Sequence, residues 1–125
     1  MIKAITTGEI RHMCEDLFPI WEESRKQIKC SGKTTYNIIK LKKELEKHLI
    51  TIQDTVMTMA EQSGGIRQDN GSYRVPEDKV EELNAKLSEF SDSTIEVEYS
   101  PIVLSENDEI PPAVMDALFD FIEMD

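Results

Sequence analysis

The chain of 125 residues has few of the side chains that build disulfide frameworks or metal centres, with only two cysteines and two histidines. If Cys14 and Cys30 share one helix, their separation of 16 positions corresponds to more than about 20 Å. A disulfide cannot bridge that distance, so we expect two free thiols. These cysteines, together with His12 and His48, lack the C-x-x-C or H-x-x-H spacing of a zinc site. We therefore predict no metal and no cofactor.

Long apolar runs are also missing from the sequence. No stretch approaches the roughly 20 apolar residues that a membrane-spanning helix requires. The opening residues, MIKAITTGEIRHM, lack the apolar middle of a signal peptide. We therefore expect a cytoplasmic protein without membrane contact. Hydrophobic residues make up 39% and charged residues 31% of the chain, which is enough for one folded domain with a modest core.

Charge is abundant, and it is unevenly divided along the chain. The formal net charge is −11, yet residues 24–43 contain seven basic and no acidic residues. Residues 77–125 contain 15 acidic residues against two lysines. These two parts can attract partners of opposite sign, or they can meet within the fold or between copies. Nucleic acid is not the expected partner, because the acidic excess would repel phosphate.

The first helix is predicted to begin near Thr6. Thr6 and Glu9 stand at the spacing of a capping box, in which two side chains satisfy free backbone N–H groups. Pro19 should kink or break this helix near Phe18, because proline lacks a backbone donor and its ring clashes with the preceding turn. We expect helical structure to resume through Ile28.

A second, longer helix is predicted from Thr35 to Gln62. Its apolar residues recur at three- and four-residue steps, which places them on one side of a helix: Ile38, Leu41, Leu45, Leu49, Ile52, Val56 and Met59. On the charged side, Glu44 precedes Lys47 by three positions and His48 by four, so local pairing is expected. A short connection containing Gly32 favours an antiparallel helical hairpin over about residues 6–62.

Residues of about 66–125 are predicted to form a small α/β region, which makes the protein α+β. Asn70-Gly71 indicates a β-hairpin or a plain turn, and Pro76 suits the start of a short helix with its apolar face at Val80, Leu83, Leu87 and Phe90. Alternating apolar and acidic residues at 94–100 predict a half-buried strand, which Pro101 limits to an edge or splits in two. After a loop at residues 105–112, an acidic helix should close the chain, with Val114, Leu118, Phe121 and Ile122 on its apolar face.

The tripeptide Gly32-Lys33-Thr34 matches the end of a phosphate-binding P-loop, G-x-x-x-x-G-K-[ST]. The first glycine of that motif is replaced by Gln27, and the preceding residues, SRKQIKC, are not an apolar strand. Nucleotide hydrolysis is therefore not predicted. We interpret Ser31-Gly32 as a tight turn, with Thr34 or Thr35 as the N-cap of the long helix.

The basic stretch is the first candidate binding site. If the hairpin forms, positive charge is concentrated at one tip, where Tyr36 is available for stacking. We assign partner binding here to Arg25, Lys26, Lys29, Lys33, Tyr36, Lys40 and Lys43. The alternative is a solvated helix surface that the protein's own acidic part partly neutralises.

The acidic C-terminal segment is the second candidate, through Asp116 and Asp120. It is either a core helix that docks through Leu118 and Phe121, or a peptide that lies in a partner's groove. Carboxylate arrays of this kind also occur in proteins that mimic DNA. We predict no enzyme, because nothing in the pattern brings titratable groups together in a pocket.

The order of motifs resembles a group of small uncharacterised proteins encoded by tailed phages and prophages. The resemblance rests on a Ser-Gly-Lys-x-x-Tyr turn, a lysine-rich helix with Leu-Glu, a Gly-x-Tyr segment, an alternating strand and an acidic helix. The turn comprises Ser31, Gly32, Lys33 and Tyr36; the later motifs begin at Leu45-Glu46 and at Gly71 and Tyr73. The resemblance implies a phage accessory or assembly protein that binds a virion protein or a host protein, or itself. The alternative function is inhibition of a host nucleic-acid enzyme or defence protein through the acidic surface.

Overall fold

The computed structural model describes residues 1–26, 29–104 and 108–123. The protein is α+β, as predicted, with short strands and helices of very different lengths. In chain order the elements are β1 (Ile2–Thr6), α1 (Thr7–His12), a π-helical turn (Met13–Leu17), α2 (Phe18–Ser24), α3 (Gly32–Gln62), β2 (Ile66–Arg67), β3 (Tyr73–Arg74), α4 (Glu77–Ser91), β4 (Thr94–Glu98), β5 (Ile102–Val103), α5 (Pro112–Leu118), a 3₁₀ turn (Phe119–Phe121) and β6 (Ile122–Glu123).

The strands form three separate two-stranded pairs within the described residues. β1 pairs with β4 and β2 with β3, both antiparallel, whereas β5 and β6 are parallel. Strand β1 was not expected from the sequence. Its register sets Ile5 beside Ile95 and Lys3 beside Val97, so Lys3 lies on the face of the ribbon that meets the core.

Helix α3 confirms the long helix predicted from the apolar spacing, with 31 residues. Ile38, Leu41, Leu45 and Ile52 on its predicted apolar side are buried. The N-cap is Ser31, not Thr34 or Thr35, because the Ser31 Oγ accepts the Thr34 N–H at 3.2 Å. The helix therefore begins three residues earlier than its apolar pattern indicated.

The break near Phe18 is also confirmed. Thr6 caps α1 through the Glu9 N–H, as its spacing predicted, and the chain then passes through the π-helical turn before α2 begins at Phe18. A wider turn accommodates Pro19, which has no N–H to donate and whose ring would clash with the carbonyl of the preceding turn. Helix α2 ends at Ser24, earlier than expected; Ile28 lies outside the described residues.

The C-terminal helix is shorter than its apolar pattern suggested. α5 stops at Leu118, a 3₁₀ turn follows, and Ile122 then pairs with Ile102 in the β5–β6 ladder. The prediction that Ile122 continues the helix was wrong, because pairing with a buried strand outweighs helical periodicity for a β-branched residue. Leu118 and Phe121 are buried as the core-docking interpretation expected.

The β2–β3 hairpin confirms the Asn70-Gly71 signal. Its turn is closed by the Gly71 N–H, which donates to the Gln68 carbonyl at 3.0 Å, and Gly71 has a φ of +85°. Asn70 has a negative φ, so this is a type I turn followed by a left-handed glycine and not the two-residue type I′ turn. At the end of α3, Gly64 has a φ of +81° and confirms the predicted stop.

The hydrophobic core lies where α1, α2, the first two thirds of α3, β4 and α5 meet. The buried cluster consists of Ile5, Ile10, Met13, Phe18, Trp21, Ile38, Leu41, Leu45, Ile52, Val97, Ile102, Val114, Leu118 and Phe121. We call residues 53–89 the distal arm: the end of α3, the β2–β3 hairpin and most of α4. Within the arm only Ala60, Ser63 and Leu83 are buried, and none of them belongs to the core cluster.

Candidate functional site

The Gly-Lys-Thr segment holds an anion that belongs to the chain itself. The Ser31 N–H donates to Asp108 Oδ1 at 2.5 Å, and the Thr34 hydroxyl lies 2.7 Å from Asp108 Oδ2. A helix N-terminus favours negative charge, because its first N–H groups have no partners within the helix. At the start of α3 that charge is the Asp108 carboxylate. The geometry agrees with the sequence argument against a P-loop.

Residues 108–109 are bound to the basic stretch along their backbone as well. The Glu109 N–H donates to the Lys29 carbonyl at 2.7 Å, and the Cys30 thiol donates to the Glu109 carbonyl at 3.0 Å. The sequence left open whether the basic and acidic parts of the chain meet within the fold. They do meet, at the entrance to α3.

The solvent side of α3 carries a continuous row of basic and apolar side chains, which we call the α3 basic face. At 100° per residue its members fall within about 100° of the helix surface, opposite the buried Ile38, Leu41 and Leu45. All are exposed, including Tyr36 at 65% and Ile50 at 62%. The α3 basic face comprises Lys33, Tyr36, Lys40, Lys43, Lys47 and Ile50.

The structure separates this face from other members of the predicted basic site. Arg25 forms an ion pair with Glu22 at 3.2 Å, and its guanidinium lies 5.5 Å from the centre of the Trp21 ring. Lys26 and Lys29 are exposed but precede α3. Of the residues predicted for the basic site, four share one surface: Lys33, Tyr36, Lys40 and Lys43.

Lys42, although it lies among these lysines in the sequence, faces another way. Its Nζ is 2.9 Å from Glu22 Oε1 and 3.2 Å from Glu46 Oε1. The hydrogen bond to Glu22 raises the pKa of Lys42, and the same bond lowers the pKa of Glu22. Lys42 therefore ties α2 to α3 and is not available to a partner in the way that the exposed lysines are.

The charge order along the α3 basic face opposes the helix dipole. Lys33 lies in the first turn of α3, where the positive end of the dipole repels it, and Glu61 lies on the same side in the last turn, where the negative end repels it. The reverse order would stabilise the helix. Asp108 offsets part of this repulsion at the helix start, but Lys33 itself does not serve helix stability.

A second feature is a pocket of about 480 Å³ between β1, α1, the π-helical turn and α5. We call it the α5 pocket. Its lining combines apolar side chains with titratable ones: Lys3, Glu9, His12, Met13, Leu17, Ala113, Asp116, Ala117, Asp120 and Phe121. The sequence indicated no such convergence of titratable groups, because the lining combines residues from opposite ends of the chain, where Lys3 of β1 pairs with Asp120 of the 3₁₀ turn.

Asp116 and Asp120, predicted to bind a partner, lie beside this pocket. Lys3 Nζ is 3.8 Å from Asp120 Oδ2, while both carboxylates remain exposed. Lys3 was missed by sequence reasoning. The available signal was the segment IKAIT, whose isoleucines and threonine favour a strand.

The two histidines have different neighbours. His12 borders the α5 pocket, and its Nδ1 lies 2.8 Å from Asp16 Oδ2. His48 is half-buried on α3, with its Nε2 3.9 Å from Glu44 Oε1. Glu44 also pairs with Lys47 at 3.3 Å, which confirms the predicted local pairing.

Cys14 and Cys30 are free thiols. Burial, followed by the nearby Glu46 and Glu15 carboxylates, raises the pKa of Cys14 to about 11. Burial also raises the pKa of Cys30. Neither thiol has the lowered pKa of a catalytic nucleophile.

No group of three or more metal-ligating side chains occurs among residues 1–26, 29–104 and 108–123. Within those same ranges, none of the helices has both the length and the apolar character to cross a bilayer.

Comparison with known proteins gives no match to any protein-family model, and no significant match to a curated protein or to a solved structure.

Proposed function

We propose that the protein works without catalysis, by contact with another protein, as a phage-type accessory or assembly protein. The observation that carries this proposal is the α3 basic face. An acidic protein surface is the partner that this face fits, because its four lysines lie along the same side of α3 as an exposed aromatic ring.

Two properties of the face support binding over a merely solvated surface. Tyr36 and Ile50 are both more than 60% exposed, and exposed tyrosines are enriched at protein interfaces. Lys33 also stands in the first turn of α3, where the helix dipole disfavours a cation. A position that opposes local stability is a mark of functional sites, since no structural benefit accounts for it.

The proposal includes the helical hairpin over residues 6–62, which presents the face at one side of the molecule. Support comes from the contact between Lys42 and Glu22 at 2.9 Å, which joins α2 to α3 near their shared connection. Contacts of α1 and of the π-helical turn with α3 also support it.

The alternative function, inhibition of a host nucleic-acid enzyme or defence protein, draws on a different surface. One side of α4 carries exposed carboxylates at Asp78, Glu81, Glu82 and Glu89. This array has four carboxylates, of which Glu82 pairs with Lys86 at 3.3 Å. The pair Asp116 and Asp120 has two, of which Asp120 pairs with Lys3. A basic enzyme surface would bind there.

A tagged pull-down from host lysate, with and without phage infection, tests the proposal. The key variant reverses three charges on the face, Lys33→Glu, Lys40→Glu and Lys43→Glu. A matched control reverses three charges on the distal arm, Arg67→Glu, Arg74→Glu and Lys79→Glu. We expect a virion protein to be recovered only after infection, to be lost from the first variant and retained by the second, and to dissociate as salt rises.

The outcomes separate the functions. A host enzyme recovered from both lysates, and lost when Glu81→Lys and Glu82→Lys are combined, favours the inhibitor. Sedimentation of the purified protein tests self-association: a dimer that the first variant abolishes identifies a second copy as the acidic partner. Recovery that neither variant changes contradicts a role for the α3 basic face.

A further inference from the structure

We propose that the α5 pocket is a binding site for a small organic cation, an ammonium group carried on an apolar body. This inference does not rest on the proposed function, because the residues that line the pocket belong to β1, α1, the π-helical turn, α5 and the 3₁₀ turn. The α3 basic face and the α5 pocket have no residue in common.

The charges around the pocket favour a cation. Lys3 is engaged with Asp120 at 3.8 Å, so these two charges largely offset each other. His12 also lines the pocket, and its Nδ1 lies 2.8 Å from Asp16 Oδ2. Glu9 and Asp116 remain, and within the described residues neither carboxylate takes part in an ion pair. An ammonium ion between them would gain two favourable interactions, whereas an anion would face two unfavourable ones.

The floor of the pocket is apolar and suits the body of such a ligand. Met13 and Phe121 are nearly buried, at 6% and 3% exposed, and Leu17 and Ala117 are half-buried beside them. Phe121 packs against Tyr99 in a T-shaped arrangement, with a distance of 5.0 Å between the ring centroids. The small exposed part of Phe121 therefore offers a ligand apolar contact at a fixed position.

The π-helical turn gives the pocket its shape. Met13 and Leu17 are the first and last residues of that turn. Such turns are rare, and they frequently occur at functional sites. Pro19 accounts for a break in the helix, and the residues at both ends of the π-helical turn line the same pocket. The volume of about 480 Å³ lies within the range of small-molecule sites.

Nuclear magnetic resonance titration of the ¹⁵N-labelled protein tests the proposal with three probes of one shape. Phenethylammonium is the cation, 3-phenylpropionate the anion and 2-phenylethanol the neutral analogue, all at the same ionic strength. We expect saturable shifts from phenethylammonium that are confined to amides of residues 3–17 and 113–121. The neutral analogue should bind the same site about tenfold more weakly, and the anion more weakly still.

Two sets of variants test the roles of the two carboxylates, Glu9 and Asp116, and of the apolar floor. Combining Glu9→Gln with Asp116→Asn should weaken the binding of phenethylammonium at least tenfold and leave the binding of 2-phenylethanol unchanged. The matched pair Glu81→Gln and Glu89→Gln on α4 should change neither probe. Ala117→Met, which fills the floor, should weaken both.

Several results would overturn the proposal. They are equal or stronger binding of 3-phenylpropionate, shifts that do not saturate, shifts spread over the acidic surface of α4, or an equal loss in the α4 control pair. The first result would mean that the pocket does not select ligands by charge. The other three would mean that the cation is attracted only by the net charge of the protein.

Discussion

The core region and the distal arm are built from the same kinds of helix but are packed very differently. Helix α3 runs through both. Up to Ile52 its apolar side is buried at Ile38, Leu41 and Leu45, whereas beyond that point Val56 and Met59 are only half-buried. The same apolar spacing thus yields a core in one half of the helix and a thinly covered surface in the other.

The difference shows that periodicity sets which side of a helix is apolar but not how well that side is covered. In the core region, α1, the π-helical turn and β5 pack on α3. In the arm, β3 and part of α4 pack on it. Exposed apolar side chains remain in the arm at Ile66 and Val80. Regions with few buried apolar contacts open first by local unfolding.

The largest expected effect separates the two regions by a matched pair of substitutions. Leu45→Ala removes a fully buried side chain from the core and should cost about 3–5 kcal/mol. Leu83→Ala makes the same chemical change in the arm, where Leu83 is 7% exposed, and should cost about 2 kcal/mol, the lower end of the range, because the site collapses more easily. Urea denaturation of both variants measures the free energies of unfolding; equal losses would show that the arm is as well packed as the core.

A smaller effect concerns thiol reactivity. Cys14 packs against the core and its pKa is raised to about 11, so at pH 8 it should hold about a hundredfold less thiolate than an ordinary exposed cysteine. Iodoacetamide should therefore alkylate Cys14 far more slowly than a cysteine introduced by Ser88→Cys on the exposed side of α4. Mass spectrometry in a Cys30→Ser background compares the two rates. Comparable rates would indicate that the core around Cys14 opens as readily as the arm.

Asp108 should contribute less to the free energy of unfolding than a core side chain does, but more than a surface charge does. Asp108→Ala removes the carboxylate that accepts from the Ser31 N–H and should cost about 1–2 kcal/mol. Asp108→Asn keeps one acceptor and should cost about half as much. Thermal unfolding measures both, with Asp54→Ala on the exposed side of α3 as the control. If the control loses as much stability as Asp108→Ala, the effect of Asp108 comes from net charge and not from its hydrogen bonds.

The smallest effect is the pH dependence that Glu22 contributes. The hydrogen bond from Lys42 holds the pKa of Glu22 below its ordinary value of 4.5. A carboxyl whose pKa is lowered by folding stabilises the protein above its unfolded pKa, and this contribution is lost as the pH falls from 4.5 through the lower folded value. Because a third of the Glu22 side chain is exposed, the contribution should be only a few tenths of a kcal/mol.

Glu22→Gln tests this effect in thermal unfolding between pH 7 and pH 3. The variant should be slightly less stable than the natural chain at pH 7 and should match it near pH 3. The control Glu81→Gln on the arm should follow the natural chain throughout. A constant difference between Glu22→Gln and the natural chain at every pH would contradict the assigned role of the pair.

Much of the helical architecture could be predicted from the sequence, because its signals are local. Thr6 marks a helix start through its side chain, which accepts the Glu9 N–H, and Gly64 marks a helix end through its positive φ. The apolar residues of α3 fix its buried side. The candidate sites could be predicted only in part from the sequence. Lys33, Tyr36, Lys40 and Lys43 share a face because their spacing is helical, whereas the α5 pocket needs Lys3 and Asp120, which are 117 positions apart in the chain.

The sequence by itself determined where helices form, which side of each is apolar, and that positive and negative charge lie in different parts of the chain. All of these follow from interactions between residues a few positions apart. Only the tertiary structure decided that Asp108 closes the start of α3, that Ile122 leaves its helix to pair with Ile102, and that β1 lies against β4. Those contacts join distant residues, and they form because the folded backbone satisfies polar groups and buries apolar ones that local spacing leaves without partners.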